Sequence, residues 1–452
     1  MEQALTPQPL PQTKFGPQTQ PKKFYIPVKV KFFIASAIAL SWFVVSCWLS
    51  YPWVLDLSTK VGHLVAWLIV LFIALVPGYL NAFLLASLLL DRPPRLNLDR
   101  QDYPPLSILI AAYNEERNIS ETLRSIRQQD YPGTIEVIIV DDGSTDRTRE
   151  VILDAGLPNL KLIAADHGGK SKALNLGLAE VAHELVVTID ADTFLHPQAL
   201  RRIVARMLGD PQHTAAIAGS VLAKNSRDTF MTRLQEWDYF LAIASVKRQQ
   251  ALYQGTLVAQ GAFSLYKTKV LRSINGWPAC IGEDIVLTWA LIKAGYRIGF
   301  EPTAVGFTRV PVTFKQFARQ RRRWARGMIE GFKYHWDMLL RWPRLVTYLM
   351  SLDLLFPLLD LTYTLVFIPG IFLALLGHFW VVGPMTLAVL PLTLLIQWVM
   401  YRYQRRVFSE LGLKIRRNRL GFIAYSLIYQ LMMSPVCVWG YAEEILGLTK
   451  KW

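Results

Sequence analysis

The sequence predicts an α/β domain of the nucleotide-binding type set between membrane-spanning α-helices. Three observations carry this. Short runs rich in Ile, Val and Leu alternate with helix-patterned segments between residues 107 and 189, the signature of a parallel sheet with crossover helices. Apolar runs long enough to cross a bilayer, which takes roughly 20 residues, lie on both sides of that region. The charge is uneven: the 452 residues carry a net +15 beside 52% hydrophobic content, and the basic residues crowd next to the apolar runs.

Taken in order, residues 1–31 form a Pro- and Gln-rich tail without apolar periodicity, expected to be disordered. Lys22, Lys23, Lys29 and Lys31 precede the first apolar run and would hold the N-terminus inside. That run shows no obvious cleavage pattern. Phe32–Ser50 and Leu64–Leu90 are two expected spans within residues 32–90, and Pro77-Gly78 in the second is tolerable in a membrane helix as a kink. Residues 91–105 are a polar linker. The strands of the α/β domain are expected at Ser107–Ala112, Glu136–Val140, Leu160–Ala164 and Leu185–Ile189, with helices at Asn118–Gln129, Asp146–Ala155 and Ser171–Val181.

Residues 312–344 follow as a basic region. On a helical count from Phe314, residues Phe317, Ala318, Trp324, Ala325, Met328, Ile329 and Phe332 share one face, and the Lys and Arg residues lie mostly elsewhere. This is a basic amphipathic helix suited to the cytoplasmic headgroup layer. Three apolar runs follow within residues 345–446, at Leu345–Leu376, Val381–Met400 and Leu420–Leu446, before a short tail, 447–452. Five full spans would leave the C-terminus outside, against its Lys450-Lys451. Either the tail is exempt or one run does not cross. Asp353 and Asp360 mark the first part of Leu345–Leu376 as an interfacial segment or a charged lining.

Net charge of this size can indicate nucleic acid. Here Lys315–Lys333 holds seven Lys/Arg against one Glu, and Arg402–Arg419 again seven against one. Both runs adjoin apolar spans and no nucleic-acid motif is present, so membrane topology accounts for the excess and no nucleic-acid partner is expected. Cys47, Cys280 and Cys437 are too few and too scattered for a disulfide framework or a structural metal site.

Parallel sheets bind ligands beyond the carboxyl ends of their strands, and acidic residues gather there. The first strand runs into Ala112-Tyr113-Asn114-Glu115, the second into Asp141-Asp142-Gly143, and the fourth into Asp190-Ala191-Asp192. An Asp-Gly pair is also an ordinary turn. Asp190 and Asp192, two apart in extended chain, project to one side. That suits a hard divalent cation, Mg2+ or Mn2+, held together with phosphate. The stretch His167-Gly168-Gly169-Lys170 enters a helix; it reads as a diphosphate cradle or as a plain helix start. Glu283-Asp284 opens another helix, either as a dipole complement or as the source of a general base.

These residues, in this order, resemble the processive membrane glycosyltransferases of family 2, which include cellulose, hyaluronan, chitin-oligosaccharide and poly-β-1,6-N-acetylglucosamine synthases. The resemblance spans roughly Leu106–Arg326 and is carried by Tyr113-Asn114-Glu115, Asp141-Asp142-Gly143, Gly169-Lys170 with Ala173-Leu174-Asn175, Asp190-x-Asp192, Glu283-Asp284 and Gln320-x-x-Arg323-Trp324. It implies an α/β GT-A domain over residues 106–311, on the cytoplasmic side of a multi-pass protein of the cell (inner) membrane. The partners implied are a UDP-sugar donor, the growing glycan as acceptor, the lipid bilayer and, in some members, a small membrane accessory subunit. Ala112, Tyr113 and Glu115 would line the uracil pocket, Asp142 with Asp141 beside it would bind uridine, and Lys170 would approach the diphosphate. Asp190 would contact the nucleotide and, with Asp192, the metal. Asp284 would be the general base with Glu283 adjacent. Gln320, Arg323 and Trp324 would hold the diphosphate and the acceptor end, although Trp324 falls on the apolar face of the wheel.

The Glu283-Asp284-Ile285 and Leu287-Thr288-Trp289 stretches look most like the poly-N-acetylglucosamine synthases, whereas Gly282 replaces the Thr common there. The expectation is an inverting synthase that builds a β-linked polymer from a UDP-sugar, with UDP-N-acetylglucosamine the leading donor, and moves it across the membrane. Another β-polysaccharide synthase, or a transferase of one sugar to a lipid carrier, is the alternative. A degenerate sugar-binding protein would have lost its acids, and Asp142, Asp190, Asp192 and Asp284 are all present.

Overall fold

A computed structural model of the chain describes residues 26–341, 344–383 and 390–448. The tail through residue 25 with Lys22 and Lys23, part of the run expected over Val381–Met400, and the terminal Lys450-Lys451-Trp452 lie outside the described residues.

The core of the α/β domain is one sheet. Strands β1 (Leu106–Ala112), β2 (Ile135–Asp142), β3 (Leu160–Ala165) and β4 (Leu185–Ile189) are parallel, with β1 between β2 and β4 and β3 outside β2. Side chains alternate between two core layers. Leu109, Ile138 and Val186 pack with Ala173, Leu174 and Leu178 of the helix Lys170–Glu180. Ile108, Ile110, Val137, Ile139 and Val187 pack with Ile119 and Leu123 of Ile119–Arg127 and with Leu200, Ile203 and Val204 of Ala199–Gly209. Burial on both faces is why these strands read as continuous apolar runs.

The other half corrects the expectation of a parallel sheet. β5 (Phe194–Leu195), β6 (Thr214–Ala223), β7 (Phe263–Lys267) and β8 (Arg297–Thr308) complete an eight-stranded mixed sheet of order β3-β2-β1-β4-β7-β6-β8-β5. β7 lies antiparallel between β4 and β6, and β5 antiparallel on β8, while β6 and β8 are parallel. β6 is built of small residues for a reason of space: a Cβ at Gly219 would lie 2.2 Å from the Phe263 ring.

Among the described residues four helices are long and apolar enough to cross a membrane: Val28–Val61, His63–Leu90, Leu345–Leu375 and Arg419–Ile445. The break between the first two is Gly62, at φ +81°. A π-helical turn, Leu71–Leu75, precedes Pro77, so the expected irregularity begins earlier than the proline. The helix Leu390–Glu410 is not in that set; its basic half docks on the domain, with Val407 and Leu411 beside Trp237 and Phe240 and Arg202 2.8 Å from Glu410. Asp360 accepts hydrogen bonds from Gln430 (3.1 Å), Ser434 (2.7 Å) and Tyr441 (2.9 Å) of the last helix. It therefore joins two helices.

The basic helix, Phe314–His335, opens with a Thr313/Gln316 capping box. It is more enclosed than its wheel predicts. It runs parallel to Arg419–Ile445, with Phe317 against Tyr429, Ala325 beside Cys437 and Tyr441, and Arg326 3.2 Å from Glu444. Two of its arginines, Arg321 and Arg326, are buried because carboxylates from other elements meet them.

Candidate active site

The loops after β1 and β2 hold each other. Asn114 takes a left-handed φ of +55°. Its side-chain oxygen accepts from the Thr145 amide at 2.8 Å, while its own amide donates to Ser144 Oγ at 3.0 Å. The Glu115 amide donates to Thr148 Oγ1 at 2.7 Å, and Asn118 Nδ2 donates to the Glu115 carboxylate at 2.8 Å. Burial pushes the Glu115 carboxyl up, opposed by Asn118 and reinforced by Asp190. Tyr113, just past Ala112, is exposed, and its ring stacks on His167 with centroids 4.2 Å apart. The two rings form a flat wall at the sheet edge.

Asp141 and Asp142, expected at the uridine, are both turned inward. Asp141 accepts from Arg149 (Nη2 at 3.0 Å) and from the Ser144 amide at 3.1 Å. Asp142 accepts from the amides of Gly168 and Gly169, each at 2.9 Å, with His167 Nδ1 3.0 Å from its second oxygen. Asp142 thus shapes the glycine turn, and Asp141 braces the loop before it. Gly143 sits at φ +75°, where a Cβ would come within 2.8 Å of the His167 nitrogen, so only glycine fits between them.

Lys170 is the hub of the cleft. It starts the helix Lys170–Glu180, and its ammonium pairs with Asp190 while lying 3.6 Å from Glu283. The first Asp of Asp190-x-Asp192 and the Glu283-Asp284 helix are thereby brought to one cation. Burial opposes that charge, but Asp190 and then Glu283 more than offset it and raise the Lys170 pKa. Gly261 allows the approach: a Cβ there would lie 2.8 Å from Lys170 Nζ. Burial raises the Glu283 carboxyl, with Lys170 pulling it back and Asp284 pushing it further up.

Asp192 receives Thr308 Oγ1 at 3.2 Å. Burial, then the neighbouring charges of Asp190 and Glu115, push its carboxyl up. That local excess of negative charge is what a cation would relieve. Among the described residues no three ligating side chains form a ready-made cage. A site of one or two carboxylates completed by diphosphate oxygens and water suits Mg2+ or Mn2+, so Asp192 and Asp190 fit the expected ion.

Asp284 lies in the first turn of its helix and accepts from the Ile285 amide at 2.9 Å. Its backbone oxygen accepts from Thr288, whose Oγ1 in turn accepts from the Ala259 amide at 2.9 Å. This ties the Glu283–Lys293 helix to the segment before β7. Lys247 reaches the same segment, donating to the Val258 carbonyl at 2.6 Å and to the Gln260 side chain. Burial pushes Lys247 down to about 8, with Asp284 opposing.

On the Phe314–His335 helix, Arg323 is exposed, and its charge reaches Glu283. The Gln320 oxygen is buried without a partner among the described residues. Trp324 is 36% exposed, so it is neither packed away as the wheel predicts nor free. Arg321 lies over its indole at 4.0 Å, and Arg321 Nη2 donates to Asp238 at 2.9 Å, which also accepts from Tyr429 OH at 2.8 Å. Asp238 begins a π-helical turn, Asp238–Ile243, and Tyr239 from the same turn flanks Trp324 at 6.3 Å. Asp238, Arg321, Lys247 and Thr308 are not singled out by the sequence pattern. A π-turn has no composition signal, and Arg321 stands beside Arg322 and Arg323.

A mixed sheet with acids at its parallel strand ends, a lysine joining one of them to the Glu283 helix, and a flat aromatic wall are the features of a GT-A glycosyltransferase. Residues 104–327 match glycosyltransferase-like family 2. The chain is 33% identical over 241 residues to an N-acetylglucosaminyltransferase of Mesorhizobium japonicum, covering 50% of this chain and 56% of that one. It is 30% identical over 285 residues to a poly-beta-1,6-N-acetyl-D-glucosamine synthase of Staphylococcus epidermidis, covering 62% of this chain and 67% of the relative. The chain thus spans only a little over half of the first relative's length. Its fold is similar to a mannosyltransferase of Pyrobaculum calidifontis solved with GDP-Man and Mn2+, with TM-score 0.53, 16% identity, and 94% and 100% of the two chains covered. The protein belongs to the family 2 glycosyltransferases.

Proposed function

We infer that the protein extends a β-linked N-acetylglucosamine polymer from UDP-N-acetylglucosamine at the cytoplasmic face of a membrane, and delivers the polymer through its apolar helices. The observation that carries this reading is the Lys170 bridge between Asp190 and Glu283. It joins the donor side of the cleft to the helix of the base, and the Arg323–Trp324 helix, packed on the last apolar helix, borders the same space. The names of the relatives support N-acetylglucosamine as the sugar. Four helices long and apolar enough to cross a membrane flank the domain on both sides and support a membrane setting.

In the reaction, Asp284 removes the proton from an acceptor hydroxyl. The oxygen attacks the anomeric carbon of the α-linked donor as the bond to the diphosphate oxygen breaks, so configuration inverts to β and UDP departs. Lys170 and Arg323 receive the charge that develops on the leaving diphosphate. Mg2+ or Mn2+, when held by Asp192 and Asp190, would screen that same charge. Trp324 offers an indole face to the acceptor sugar.

The test is UDP release and product size with a panel of UDP-sugars, Mg2+ or Mn2+, and membranes containing the protein. Release with UDP-N-acetylglucosamine and long β-linked product, absent in Asp284→Asn, is the expected result. Addition of one sugar only would replace the polymerase reading with single transfer to an acceptor. Release with a different donor alone would overturn the sugar assignment.

A further inference from the structure

A cavity of about 580 Å3 opens away from the catalytic cleft, between the helices Leu390–Glu410 and Arg419–Ile445. Trp237, Trp398 and Phe422 wall it, and Arg416, Arg417 and Arg419 form its rim. The walls are predominantly apolar. The three arginines are exposed, and none has an acidic partner among the described residues. Leu394 and Ile423 of the lining are exposed, and the apolar surface continues one turn along the last helix to exposed Leu427. Arg402 covers Trp398 at 4.9 Å, an aromatic–cation pair of the kind that settles at headgroup depth.

We propose that this cavity is a binding site for one anionic phospholipid, its phosphate against Arg416, Arg417 and Arg419 and an acyl chain along Trp398, Ile423 and Leu427. Charge complementarity chooses the headgroup, since unneutralised basic residues between apolar helices attract anionic lipid. The apolar walls choose a lipid over free phosphate, which would leave them in water. Occupancy also bears on the cleft. Trp237 Nε1 donates to the Asn418 carbonyl at 3.0 Å, and the next residue is Asp238, the partner of Arg321. The lipid would brace the turn that positions Trp324.

The experiment titrates the full-length protein in detergent with equimolar phosphatidylglycerol and phosphatidylcholine and counts bound lipid by native mass spectrometry. The wild type is expected to retain phosphatidylglycerol over phosphatidylcholine by about tenfold or more. The triple variant Arg416→Gln, Arg417→Gln, Arg419→Gln should lose that preference, and Arg405→Gln with Arg406→Gln should keep it. If the triple variant does not fold, Arg417→Gln alone is read for a partial loss. Equal retention of both lipids by the wild type overturns the site. So does unchanged preference in the variants, or equal loss in the control pair, which would mean diffuse attraction. Displacement of phosphatidylglycerol by inorganic phosphate would make this a phosphate site and also overturn the proposal.

Discussion

Gly282 and Gly327 touch backbone to backbone. A Cβ on Gly282 would lie 2.5 Å from Gly327 Cα, and the Gly282 amide donates to Glu330 Oε2 at 2.8 Å. The helix of Glu283 and Asp284 is thereby seated on the helix of Gln320, Arg323 and Trp324. This explains the glycine at position 282: the approach leaves no room for a side chain. Gly282→Ala is expected to cost about 1–3 kcal/mol through overpacking. Turnover should fall further than stability, because Asp284, the proposed base, and Arg323 are pushed apart. Melting temperature and UDP release on the same preparation check this, and an unchanged rate would refute it.

The Asp238–Arg321–Tyr429 cluster sets the Trp324 indole. Removing one partner of a buried ion pair costs about 3–5 kcal/mol, so Asp238→Ala should reduce folded protein sharply. Tyr429→Phe removes one hydrogen bond to a charged group, about 1.5–3 kcal/mol, and leaves the ion pair. This milder variant should shorten the product while donor affinity stays near wild type. A product of normal length would show that the cluster supports the fold alone.

Asp192 and Thr308 test the metal reading. Asp192→Ala should weaken metal and UDP binding together. Thr308→Val, which removes only the hydrogen bond to Asp192, should raise the Mn2+ concentration needed for half activity by about 10-fold or more, as loss of an outer partner does. Normal metal dependence in both variants would remove Asp192 from the site.

Lys247 predicts an alkaline limit. Its ammonium, lowered to about 8 by burial and supported by Asp284, is present below that pH and lost above it. The segment Val258–Gln260 then loses a charged anchor, and turnover should fall with a midpoint near pH 8. Stability should move the other way. The folded pKa lies below the unfolded value of about 10.4, so the cost of burying the charge is full below about 8 and fades as pH rises toward 10. Lys247→Met should abolish both trends, as pH–rate and pH–melting profiles would show.

Legibility followed side-chain type and local order. The parallel strands were readable because Ile and Val runs end in acids at Asp141 and Asp190. β6 was not, because Ala215, Ala216, Ala218 and Gly219 carry no strong strand pattern. β8 was hidden by Pro302, which normally argues against a strand. Its register opposite β6 shifts between Phe300 and Val305, and the proline falls in that irregular stretch. Sequence gave the acids but not their direction: nothing in Asp141-Asp142 shows that both carboxylates hold loops. The basic run from Lys315 looked like a surface because Asp238, Glu443 and Glu444, which pair with its arginines, are far away in sequence.

That distance also has a meaning in time. Arg326 and Glu444 are 118 residues apart. At about 5–20 residues per second, the ribosome reaches Glu444 on the order of ten seconds after Arg326. The eight-stranded sheet, complete by residue 308, can fold during that interval. The helix bearing Arg323 and Trp324 waits for a neighbour not yet made. A nascent chain is therefore able to form the sheet and its acid-bearing loops before the helix that carries Arg323 and Trp324 has the neighbour that seats it.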